Sequence, residues 1–171
     1  MKPKGDCSLM EVLKARKKTV VEVWLTRTLE TYPEHTRRFL LREKDRFRNP
    51  VGHAFQEALP ALFDELLGER DGARLEGLLD TIVRIRAVQD FSAAQAVGFI
   101  FLLKNIIREE ARKEGEEAAD ALTALEGRID ELALLASGLY AKCREQILAI
   151  QAGESRRRMY LVERMQGRKA G

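Results

Sequence analysis

Ser92-Ala-Ala-Gln-Ala-Val-Gly-Phe-Ile-Phe-Leu-Leu-Lys104 is the stretch on which the fold turns. A serine followed three residues later by glutamine is a capping box, in which each side chain satisfies an amide that a helix start leaves without a partner. The run Val97 to Leu103 is apolar nearly all round, so its helix is expected to be the central, most buried element. Gly98 costs about 1 kcal/mol relative to alanine inside a helix, which implies close backbone packing there. Lys104 interrupts the apolar run. Beyond it Glu109 and Lys113 stand at the supportive i,i+4 spacing, and Gly115 closes the helix.

Working towards the N-terminus, Leu75, Leu78, Leu79, Ile82 and Val83 predict a helix that stops near Gln89-Asp90. Gly68 and Asp71-Gly72 form the turn before it. Phe55, Leu59, Leu62, Phe63, Leu66 and Leu67 mark another helix, which Pro60 is expected to kink or break. Asn49-Pro50 reads as its N-cap with proline at the first helical position. Thr36 to Arg48 is basic, with six Arg or Lys interleaved with Phe39, Leu40, Leu41 and Phe47. Ser8-Leu-Met-Glu11 is a further capping box, expected to open one long first helix that ends by Pro33.

Towards the C-terminus, one helix is expected from about Glu116 to Gln151, roughly 50 Å at the helical rise. Leu122, Leu125, Ile129, Leu132, Ala136, Leu139, Cys143, Gln146 and Ile150 follow a heptad a/d register in which only Gln146 is polar. Gly153 is expected to stop this helix, leaving a short basic tail helix from Ser155 to Met165. Period-2 alternation is absent. The fold is therefore read as all-α, a five- to six-helix bundle with a long C-terminal helix. It is a single domain over residues 1–171, with a core from about 9 to 151 and a basic tail over 152–171.

Of 171 residues 45% are apolar and 33% charged, and 30 basic side chains face 27 acidic ones. A net charge of +3 gives no electrostatic case for nucleic acid. Cys7 and Cys143 are too few for a disulfide framework, and no Cys-x-x-Cys exists. The N-terminus lacks a secretory apolar stretch, and the apolar block Ala96–Leu103 is far short of the roughly 20 residues a membrane span needs. The expected location is the cytoplasm, with no membrane partner.

The chemistry is bounded in the same way. Neither His35 nor His53 has a glutamate three residues before it, so the di-iron bundle pattern is missing. Both lie in the first third of the chain, away from where a globin carries its proximal histidine. No nucleophile elbow or phosphate-cradling loop occurs. No cofactor, metal or catalytic residue is assigned, and the chain is not expected to be an enzyme. The basic segment 37–48 is the best place for a nucleic-acid contact, though its interleaved apolar residues equally fit an amphipathic face. Small-molecule sensing beside the apolar run Val97–Leu103 is a further alternative.

Two features favour an interaction module. The heptad helix serves either as the last helix of the bundle or, through its distal half, as a seam to a second copy or a partner. In that second case Leu122, Leu125, Ile129, Leu132, Ala136, Leu139, Cys143 and Ile150 form the interface. Leu134, Leu135, Ile147 and Leu148 lie off that seam, so the helix has a second apolar face. The other feature is Arg84-Ile-Arg-Ala-Val-Gln-Asp90, directly before the central helix, where Arg86, Asp90 and Lys104 are candidates for a partly buried polar cluster.

The stretch from Arg84 through Gln89 and Asp90 to Lys104, with Arg46-Phe-Arg-Asn-Pro50 upstream, resembles the N-terminal domain of the RsbRD-type co-antagonists. Those proteins belong to stress-signalling complexes that control a switch kinase, and similar domains precede histidine kinases. The likeness covers roughly Leu9 to Leu148. It implies a sensory or scaffolding domain, globin-like without haem, and dimeric through its last helix. About twenty residues follow that helix, too few for a phosphorylatable output domain. The expected action is thus docking onto a kinase or another signalling protein, with a homodimer as the working unit.

Overall fold

The computed structural model describes residues 4–69, 71–115 and 118–169, without the side chains of 4–8 and 166–169. All described secondary structure is helical, in the order α1 (Lys4–Ala15), α2 (Lys17–Leu29), α3 (Glu34–Arg42), α4 (Pro50–Leu67), α5 (Gly72–Val88), α6 (Ala93–Val97), α7 (Phe99–Glu114) and α8 (Ala119–Lys169). α8 packs along α5, α6 and α7 and also touches α1 and α4; α2 lies against α7 and α4. The core joins these helices through Trp24, Phe55, Phe63, Leu79, Ile100 and Ile129, each at most 1% exposed. Burying a large apolar side chain contributes about 1.5–3 kcal/mol, so these contacts outweigh most local preferences.

Several starts and stops follow local chemistry. The Asn49 side chain accepts from the Gly52 amide, and Asp71 accepts from the Ala73 and Arg74 amides. Both bonds of the Ser92–Gln95 capping box form. Gly115 ends α7 at φ +82°, a conformation natural to glycine.

Elsewhere tertiary packing overrides the local signal. The single first helix is jointed at Arg16, and it begins at Lys4, upstream of Ser8. The side chains of Cys7 and Ser8 lie outside the described ones. α4 runs unbroken through Pro60, because Leu59, Leu62 and Phe63 are buried around it and offset the roughly 3 kcal/mol a helical proline costs. Gly98 divides the expected central helix into α6 and α7. A Cβ there would lie 2.8 Å from the Ala94 carbonyl, so the close approach is to its own preceding turn. Phe101 on α7 is 46% exposed, so the run is not buried all round. Lys113 pairs with Glu110, and Glu109 with Arg27, in place of the expected Glu109–Lys113 pair. α8 passes through Gly153 to Lys169, 51 residues or about 77 Å. A glycine weakens a helix by about 1 kcal/mol but ends it only where the chain turns away, and here it does not.

Asn49 is the hub between α3 and α4. It is 2% exposed and donates through Nδ2 to the carbonyls of Leu40 and Glu43, both at 2.9 Å. A Cβ on Gly52 would meet the Asn49 amide at 2.3 Å and the Leu40 carbonyl at 2.6 Å. Gly52→Ala and Asn49→Ala are each expected to lower unfolding free energy by about 1–3 kcal/mol in urea titrations, whereas Gly77→Ala, where space is open, is not.

Candidate functional site

The apolar face of α5, Leu75, Leu79, Ile82 and Val83, continues in phase to position 86, where an arginine stands. Arg86 is completely buried. Its guanidinium donates through Nη1 to the Gln95 carbonyl at 2.7 Å, and through Nη2 to the Thr28 carbonyl at 3.1 Å and the Thr31 hydroxyl at 3.0 Å. Four rings surround it, Phe91 at 5.0 Å and Tyr32, Phe55 and Phe99 each at 5.6 Å. No carboxylate bonds to it among the described residues. Its charge is met by three oxygens and the electron-rich faces of four rings, each such face contributing roughly 0.5–2 kcal/mol. The Arg86 Nε and the Thr28 hydroxyl remain without partners.

Burial lowers the Arg86 pKa, while the neighbouring Tyr32 works the other way. Arginine is basic enough to stay charged regardless. Burial likewise raises the Tyr32 pKa, against the pull of Arg86. Tyr32 donates to Gln89 Oε1 at 2.8 Å, so this residue supports the cage from its rim.

The turn after α5 ties the cage to α8. The Phe91 amide donates to the Arg86 carbonyl and the Asp90 amide to that of Ala87, a Schellman ending with Asp90 in the left-handed position at φ 59°. From α8, Tyr140 donates to the Phe91 carbonyl at 2.6 Å, and Arg144 reaches the Ala87 carbonyl and Asp90 Oδ1, both at 3.1 Å.

The expected cluster of Arg86, Asp90 and Lys104 is therefore dispersed. Arg86 is caged, Asp90 pairs with Arg144, and Lys104 pairs with Asp130 at 2.8 Å. Arg84 is held on the surface by Asp80. The cage rings come from α4, α7 and two interhelical turns, so no local spacing announces them. The one available signal was an arginine in phase with an apolar face.

The heptad seam is also relocated. Leu125, Ile129, Leu132, Ala136, Leu139 and Cys143 are buried in the chain's own core, Leu122 is partly buried, and Ile150 is 63% exposed. The first six are not a surface of this fold. Outside the core, Leu134, Gly138, Ala141, Glu145, Leu148, Ala152, Ser155, Met159 and Val162 recur at alternating steps of four and three, and all are exposed. From Leu148 to Met165 no side chain of α8 is buried.

Residues 18–155 of the 171 match the family described as the RsbT co-antagonist protein rsbRD N-terminal domain. The chain belongs to this family. No curated protein and no solved structure matches it. The RsbRD N-terminal domain match takes in α3 to α7, the cage and the first 37 residues of α8, Ala119 to Ser155. Among the described residues of this domain no helix is long and apolar enough to cross a membrane, and no three His, Cys, Asp or Glu side chains converge as a metal set. A cleft of about 560 Å³ opens between α2 and α4, walled by Val21, Leu25, Phe55 and Leu59 and rimmed by lysines.

Arg86→Ala leaves the Thr28 and Gln95 carbonyls without these bonds and a void among four rings. It is expected to cost about 3–5 kcal/mol in chemical unfolding, with Arg86→Lys falling between it and the parent. The raised Tyr32 pKa means the folded state resists ionisation that the unfolded chain permits near pH 10. Stability is therefore held below that pH and lost above it, and Tyr32→Phe is expected to flatten this alkaline loss in melts from pH 8 to 11.

Proposed function

We propose that this chain is a non-enzymatic regulatory module of a stress-signalling system, which acts by docking to a protein partner and pairs with a second copy through α8. Membership of the RsbRD N-terminal domain family supports the signalling role. The observation that carries the docking mechanism is the exposed stripe on α8. Its 4-3 spacing is that of a coiled-coil seam, and Gly138, Ala141, Ala152 and Ser155 let a second helix approach closely. Leu134, Leu148, Met159 and Val162 are 52–75% exposed, and such a row is covered in most soluble proteins. The globin-like arrangement without haem that the resemblance implies belongs to the same reading; His35 is exposed and bonds to Thr36, and His53 is half-buried beside Glu57.

Sedimentation of the purified chain tests the pairing. A dimer is expected at micromolar concentration, and Leu148→Glu with Met159→Glu is expected to yield monomers with unchanged helical content by circular dichroism and a melting midpoint that no longer depends on protein concentration. Ile129→Glu is expected to unfold the chain, since that residue is fully buried. A monomeric parent, or a dimer indifferent to the double substitution, removes the α8 seam.

Small-molecule sensing is favoured by the cleft between α2 and α4, because Phe55 both lines the cleft and forms a wall of the Arg86 cage. Filling it with Leu25→Trp is then expected to shift the Trp24-dominated emission and block ligand-induced thermal shifts.

A further inference from the structure

Phe47 is 94% exposed, the most open large apolar side chain among the described residues. The loop that carries it is nevertheless fixed. Asp45 Oδ1 accepts from the amides of Phe47 at 2.8 Å and Arg48 at 3.2 Å, and the Asp45 carbonyl accepts from the Asn49 amide at 2.8 Å. The Glu43 carboxylate accepts from the Asp45 amide at 3.1 Å. Behind these bonds stands the buried Asn49 hub, which clamps the loop to both α3 and α4. The ring is thus held outward by a hydrogen-bonded frame.

Next to Phe47 a groove of about 510 Å³ runs between α4 and α5, with an aliphatic floor of Pro50, Ala54, Ala58 and Leu78. The neighbouring charge is lopsided. Arg38 and Arg48 are paired to Glu34 and Glu43, whereas Arg37, Arg42, Lys44 and Arg46 form no ion pair among the described residues. Phe39 and Leu41 on α3 are also 46% and 40% exposed. Phe47 and Arg46 line this apolar slot, and the segment that leads into them carries Arg37, Arg42 and Lys44.

We propose that this slot docks an acidic, amphipathic segment of a partner protein. One apolar side chain of the partner enters the groove against Phe47, and its carboxylates meet Arg46 and the α3 cations. The proposal names the partner-facing surface within the docking reading above and rests on that reading. Aromatic and arginine side chains around a pocket are the residues that most often dominate protein recognition. A nucleic acid fits less well, since the groove floor is aliphatic. A second copy meeting the slot loop to loop would set cations against cations.

The test is site-specific photo-cross-linking of the full chain in its native cell. p-Benzoylphenylalanine replaces Phe47 in one variant and Leu148 on α8 in another. The expected result is one heterologous protein joined at position 47, with the cross-link mapping to an acidic segment. Arg42→Glu with Arg46→Glu is expected to reduce that adduct at least about tenfold, and lysines placed in the mapped segment are expected to restore it. In vitro, Phe47→Ala is expected to weaken binding of the mapped segment, made as a synthetic peptide, by at least about tenfold without changing the melting midpoint. An adduct to a non-acidic segment, to nucleic acid or to another copy of this chain overturns the proposal, as does indifference to charge reversal. A heterologous adduct from position 148 alone retains the docking reading and removes this surface. No heterologous adduct from either position removes both.

Discussion

A positive charge sits inside this protein with no carboxylate bonded to it among the described residues, and the helices around it are placed to make that tolerable. Taking a guanidinium out of water is costly unless its donors are met and its charge is balanced. Here α2 supplies the Thr28 carbonyl, the turn after it supplies Thr31 and Tyr32, α4 supplies Phe55, and α6 and α7 supply Gln95 and Phe99. The break between α6 and α7 and the Schellman ending of α5 belong to the same arrangement, since Gln95 and Phe91 both meet this guanidinium.

What the sequence discloses and what it hides divide along the range of the forces involved. Asn49-Pro50, Ser92 to Gln95 and Gly115 were legible because capping chemistry acts within three or four residues; Asp71, read as part of a turn, proves to cap α5 as well. The joint at Arg16 and the continuity of α4 through Pro60 were not, because each depends on which neighbours press on the helix. Family membership was legible for a related reason: Arg84 to Lys104 and Arg46 to Pro50 encode the Schellman turn, the capping box and the Asn49 hub, all local devices. The cage itself joins residues 28 to 99 across four segments, and no periodicity links them. The expected polar cluster put Arg86 among charges; the structure gives it aromatic rings instead.

The last helix shows how one pattern admits two meanings. An a/d stripe says that a helix has an apolar face and is silent about what covers it. From Leu125 to Cys143 the cover is the chain's own α1, α4, α5, α6 and α7, which is why that stripe is interior. The opposite stripe from Leu134 to Val162 was harder to notice, because glycine, alanine, serine and one glutamate occupy five of its nine positions and weaken its hydropathy. Its uniform exposure, which only the three-dimensional arrangement reveals, distinguishes it from the inner one.

The union of a gripped and a free portion in one continuous rod has a mechanical corollary. Tyr140 and Arg144 hold α8 to the turn beside the cage, and about 25 residues, some 37 Å, extend past that grip. Such a rod works as a lever with its fulcrum at the base. A pivot of about five degrees there, an atomic shift well under an ångström at the turn, sweeps the tip through roughly 3 Å, more than half a helical pitch. A small rearrangement around the guanidinium that tilted this base would appear at the tip as a displacement on the scale that separates one side-chain register from the next.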